Sequence, residues 1–148
     1  MPDAPLKLAA FDEEDLAIIS AHLQDAVLTV GDLVYLPRER RFALAANRFD
    51  WVGAATGEGN RRRRAALHFE RVGKVSSRGI DMARREAVLS LLAIAFQPEE
   101  APSGVVDLMF SGGGAVRLEV ECVEAALKDL GPVWETQRCP GHAVGEDA

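Results

Sequence analysis

The sequence predicts an α+β domain: a mostly antiparallel sheet of about seven strands, with an N-terminal helix and a C-terminal helix. Three observations carry that expectation. An acid-led helix signal opens at Asp12. Short β-rich runs follow between residues 26 and 122, separated by Gly, Pro and Asp turns. An apolar stripe at helical spacing then starts at Val123 and stops at Gly131-Pro132.

The elements follow in order. Residues 1–10 read as an arm or leading strand, with Leu6 and Leu8 on one side. Asp12 caps a helix over 13–24 whose first turn, Glu13-Glu14-Asp15, suits the positive end of the helix dipole. Phe11 and Leu16 occupy the positions of a hydrophobic staple. Leu16, Ile19 and Leu23 form the apolar stripe. The period then changes. Residues 26–30 and 33–36 read as strands around a Gly31-Asp32 turn or bulge. Residues 41–48 return as a third strand with Phe42, Leu44 and Ala46 on one face, and Phe49 and Trp51 pack at its end. Residues 53–60 read as a glycine-rich loop.

Residues 62–72 read as a strand with Ala65, Leu67 and Phe69 inward and a bulge near Arg71. Lys74 to Arg85 reads as irregular, anchored by Ile80 and Met82. Val88–Phe96 suits either strand or helix by length, and is read as a central strand covered on both faces. Residues 105–110 and 115–122 form a hairpin about Ser111-Gly112-Gly113-Gly114, with Val116, Leu118, Val120 and Cys122 inward. Residues 123–130 read as the closing helix on Val123, Ala126, Leu127 and Leu130. Trp134 is expected to fold back onto the core, and 135–148 to be a flexible tail. Seven strands and a terminal helix is the element order of pleckstrin-homology-like barrels. A twisted open sheet with both helices on one face is the alternative.

At 148 residues the chain is expected to be a single domain, with no staple of metal or disulfide. No apolar run approaches the roughly 20 residues of a membrane span. Two cysteines, Cys122 and Cys139, do not imply an oxidising compartment, and a cytoplasmic protein is expected.

The net charge of −6 is unevenly spread. Residues 1–36 hold one Lys against seven acids, 37–85 hold thirteen basic groups against five, and 86–148 hold three against eleven. Two readings follow. The basic middle pairs with the acidic ends, inside the fold or across a homodimer. Alternatively, Arg38, Arg40, Arg41, Arg61, Arg62, Arg63 and Arg64 form an anion-binding face for phosphate, nucleic acid or anionic lipid. A pI near 5.1 argues against a dedicated nucleic-acid binder.

Other chemistry is sparse. Gly112–Gly114 lacks the Lys and Ser/Thr of a phosphate loop and reads as a turn. Cys139-Pro140-Gly141-His142 has metal-like spacing but offers two ligands where a structural zinc needs four, so no metal or cofactor is expected. The serines carry no nucleophile-elbow motif, and no catalytic residue is assigned. His68 reads as a surface or packing residue, and Met82 and Met109 as gap-fillers.

The segments Leu23–Ala26, Gly31-Asp32, Tyr35–Phe42 and Ala46–Trp51 resemble a family of small bacterial proteins, domain of unknown function 2948. The likeness continues through Arg62–Arg64, Arg78–Ile80 and Leu118–Leu130. It implies a bacterial cytoplasmic protein and brings no activity or site residue with it. The expected function is a non-enzymatic interaction or scaffold module, with a protein partner or a second copy. The alternatives are the anion-binding module and an unrecognised enzyme.

Overall fold

The computed structural model describes residues 5–136 and 139–140. Ten strands make one sheet: β1 (Lys7–Ala10), β2 (Ala26–Thr29), β3 (Leu33–Leu36), β4 (Arg41–Phe49), β5 (Arg61–Phe69), β6 (Val72–Arg78), β7 (Val88–Pro98), β8 (Gly104–Phe110), β9 (Ala115–Val120) and β10 (Ala125–Glu135). Two helices join them, α1 (Glu13–His22) and α2 (Trp51–Ala55). The strand order is β1-β10-β5-β4-β2-β7-β8-β9-β6, with β3 also on β4. Each recorded pairing is antiparallel.

The core follows from alternation. Phe42, Leu44 and Ala46 of β4 face Ala65, Leu67 and Phe69 of β5 in register, and all six are buried. Val116, Leu118 and Val120 of β9 point the same way as Val106, Leu108 and Phe110 of β8. Helix α1 lays Leu16 and Ile19, with Leu23 just beyond its end, into the same cluster. Asp12 caps it by accepting the Asp15 N–H at 2.8 Å, as the sequence predicts.

The α+β expectation is overturned. Among the described residues the sheet has ten strands in place of seven, and residues 125–135 form a strand, so the C-terminal helix expected over 123–130 does not form. Nor is this the pleckstrin-homology-like barrel suggested by element order, because that order rested on a plugging helix. The sheet is open, with β1 and β6 at its edges. Residues 123–130 misread because they fit two periods. Val123, Ala125, Leu127 and Asp129 are buried at period two. Asp129 hides that alternation, being a charged residue on the inward face.

Other differences have local causes. Phe11 stays 69% exposed, so no staple closes over Leu16. Residues 51–55 are helical because Asp50 caps them. β6 was expected to be irregular, yet its polar residues suit an edge strand that buries only Val72. Near Arg71 there is a corner with positive φ, and β6 leaves β5 to pair with β9. β7 is central, but a register shift between Leu91 and Ala93 turns both Leu91 and Ile94 inward and leaves Leu92 and Val88 exposed. The Ile94 N–H donates to Ser20 Oγ at that point, at 2.9 Å. Met82 is exposed and anchors nothing, while Ile80 packs on the core. Trp134 continues β10 opposite Arg62 and does not fold back. The tail expected over 135–148 begins with strand residue Glu135; residues 137–138 and 141–148 lie outside the described residues.

Candidate functional site

The arginine run is built into the sheet. On β4 the inward positions continue from Ala46 to Arg48, and on β5 they run back from Ala65 to Arg63. Register sets Arg48 directly opposite Arg63, both buried. Two like charges facing each other destabilise a sheet unless anions answer them. Asp129 and Asp50 answer them. Arg48 makes a two-pronged pair with Asp129 at 2.8 and 2.9 Å. Asp129 Oδ2 also accepts the Leu6 N–H at 2.7 Å, which ties the chain leading into β1 to the network. Arg63 Nε donates to Asp50 Oδ2 at 3.1 Å, and Arg61 reaches the same oxygen at 3.2 Å.

The remaining members of the run are also engaged. Arg62 donates to the Asp25 and Asn47 carbonyls and lies over the Phe49 ring at 5.8 Å. Arg64 pairs with Asp32 and the Asn47 side chain. Arg61 also meets Glu58.

Burial alone would raise the carboxyl pKa of Asp50 and Asp129. For Asp50 the Gly53 N–H and the Arg63 guanidinium outweigh it; for Asp129 the Arg48 guanidinium and the Leu6 N–H do so. Both carboxyls are held below their usual range.

Asp50 has a second role. Its Oδ1 accepts the Gly53 N–H at 2.9 Å, capping α2. A Cβ at residue 53 would come within 2.8 Å of Asp50 Oδ2, so the turn needs glycine for close approach. Trp51 is pinned by its indole N–H to the Gln24 carbonyl at 3.1 Å and by an edge contact with Phe49, centroids 4.6 Å apart. The ion network therefore positions α2.

Between α1 and α2 lies an open groove of about 400 Å³, lined by Ala17, Ile18, Ala21, His22, Trp51 and Val52. Ile18 and Val52 are 53% and 58% exposed. His22 borders the ion network. Burial, then the charge of Arg48, lowers its pKa against the opposing pull of Asp129 and Asp50, so it is neutral at neutral pH.

The two predicted arginine clusters do not meet. Arg41 opens β4, and Arg61–Arg64 pair with its far end, roughly 25 Å away at the rise of a strand. Arg40 pairs with Glu121 and Arg41 with Glu70, while Arg38 is exposed with no ion pair among the described residues. His68 bonds Glu70 at 2.7 Å. The glycine run is a turn, with Gly112 and Gly113 at positive φ. Cys122 and Cys139 are free thiols, and Gly141 and His142 lie outside the described residues.

Sequence reasoning missed Asp50, Asp129, His22 and Val52 as site residues. Only Asp50 left a local trace: an Asp three residues before Gly53 is a helix-cap pattern.

A family model described as "Protein of unknown function (DUF2948)" matches residues 6–142. The chain belongs to that family. The matched span takes in β1, both helices and all of β10, so the whole ion network lies inside it. No curated protein and no solved structure matches the chain. No helix among the described residues is long and apolar enough to cross a membrane.

Proposed function

We propose that this DUF2948 protein is an interaction module that self-associates through the α1–α2 groove. The observation that carries this is the exposed apolar groove itself, with Ile18 and Val52 standing beside the small residues Ala17 and Ala21. Projections and a recess on one patch are what a two-fold contact needs, because each copy can seat its own projection in the other's recess. Covering either side chain is worth about 1–2 kcal/mol. The charge blocks no longer motivate the reading, since Arg48, Arg61, Arg63 and Arg64 are answered by acids of the same chain. What the arginine network supplies is a fixed α2, and hence a preformed groove.

Free thiols at Cys122 and Cys139 support a reducing, cytoplasmic setting. The test is Ile18→Lys, with Val52→Lys beside it. Both sites are solvent-facing, so the fold should survive and the oligomer should not. A dimer indifferent to both changes would remove the groove as its interface.

A further inference from the structure

Far from the groove, the outer face of β6, β9 and β8 holds a second cavity, of about 410 Å³. Register arranges its lining. Ser76, Arg117 and Asp107 form one row across the three strands, and Arg78, Ala115 and Met109 form the next. Residues in register share a face, so both rows point to solvent, opposite the core residues Val116 and Leu118. Ala115 is the short residue between two long ones, which leaves a recess. Gln97 completes the polar rim, and Ser77 borders it from the strand backbone, its register partner Val116 being on the opposite face.

The charges are unequally spent. Arg117 gives its Nε to Asp107 Oδ1 at 3.0 Å, a bond that fixes the guanidinium over the sheet and leaves its terminal amino groups without a hydrogen bond among the described residues. The Arg78 side chain makes no hydrogen bond and no ion pair among the described residues. Within the lining one carboxylate thus faces two guanidiniums, while Glu99 and Glu119, outside the lining, also act on Arg117. The Ser76 hydroxyl and the Gln97 amide supply further donors around the recess. An oxyanion with several acceptor oxygens matches that set, because arginine forks bind phosphate through two parallel N–H bonds and hydroxyls fill the remaining lone pairs. The volume lies within the range of small-molecule pockets.

The geometry points to a binding site for the phosphoryl group of a small phosphate ester, held by Arg78 and Arg117 with Ser76. It does not depend on the groove, and none of the arginines predicted from sequence belongs to it. Arg117 is preorganised by Asp107, and Arg78 closes from the sheet edge.

The test is a titration of the full chain with glycerol 3-phosphate, read by amide chemical shifts, with glycerol and sulfate at equal ionic strength as controls. The expected result is saturable shifts confined to Ser76–Arg78 and Ala115–Arg117, much weaker with sulfate and absent with glycerol. Arg78→Ala and Arg117→Ala should each weaken binding roughly tenfold or more. Arg78 is exposed at an edge, so its variant should keep the parent's spectrum elsewhere and its unfolding midpoint. No saturable shift, shifts equal to those with sulfate, or affinity unchanged in Arg78→Ala would each overturn the site.

Discussion

Asp50 serves Gly53 and Arg63 at once: one carboxylate oxygen caps the turn of α2, and the other takes the buried guanidinium from β5. A helix that forms one wall of a surface groove is thereby anchored to the inward face of the sheet. Five residues are too few to hold a helix alone. The anchor, more than helix propensity, keeps Trp51 and Val52 where they are.

Breaking that anchor should be costly. Arg63→Met leaves the Asp50 carboxylate buried with part of its compensation gone, and about 3–5 kcal/mol of stability should go with it. Adding Asp50→Asn should recover part of that loss, as a coupled pair requires. Urea unfolding of the two single variants and the double variant measures both. A loss below about 1 kcal/mol would place the pair in the class of surface bridges.

Asp129 separates two roles. Asp129→Asn removes the charge that answers Arg48 but keeps an oxygen for the Leu6 N–H; Asp129→Ala removes both. Both variants should be destabilised by about 3 kcal/mol or more. Amide exchange in β1 should rise further in the Ala variant than in the Asn variant. Equal exchange in the two would mean that the Leu6 bond does not hold the leading strand.

Acid should lower the stability of the protein in two stages. His22 is held below 6.5, so the unfolded chain takes up a proton first, and stability falls as pH drops below 6.5. Asp50 and Asp129 are held below 3.8, so their contribution is complete above that value and is lost as pH falls through and below it. His22→Gln should flatten the first stage and spare the second. Denaturant midpoints at a series of pH values would show it, and identical profiles for parent and variant would exclude His22 as the source.

The α1 cap gives a smaller, local effect. Asp12→Ala leaves the Asp15 N–H without its acceptor and should cost about 1 kcal/mol, read from the thermal midpoint.

What could be read from sequence was what a short window contains. Asp12 with its acidic first turn marked α1, glycines at 112–114 marked the β8–β9 hairpin, and alternation from Phe42 marked β4. Alternation failed where charge points inward. Asp129 made β10 look helical, and Arg63 made the start of β5 look like a solvated basic run. The expected pairing of arginines with the chain's own acids was correct in kind. Its partners were not legible, because Arg48 and Asp129 lie 81 residues apart and nothing local foretells that β10 inserts between β1 and β5. A bulge defeated alternation at Leu92, where one extra residue reversed the inward set of β7.

The most direct test of the groove is sedimentation equilibrium of the untagged chain over a wide concentration range, alongside Ile18→Lys. The account predicts that the parent forms a dimer of twice the chain mass, and that the variant stays monomeric with an unchanged circular dichroism spectrum. A parent that is monomeric at every concentration, or a variant that dimerises equally well, would contradict it.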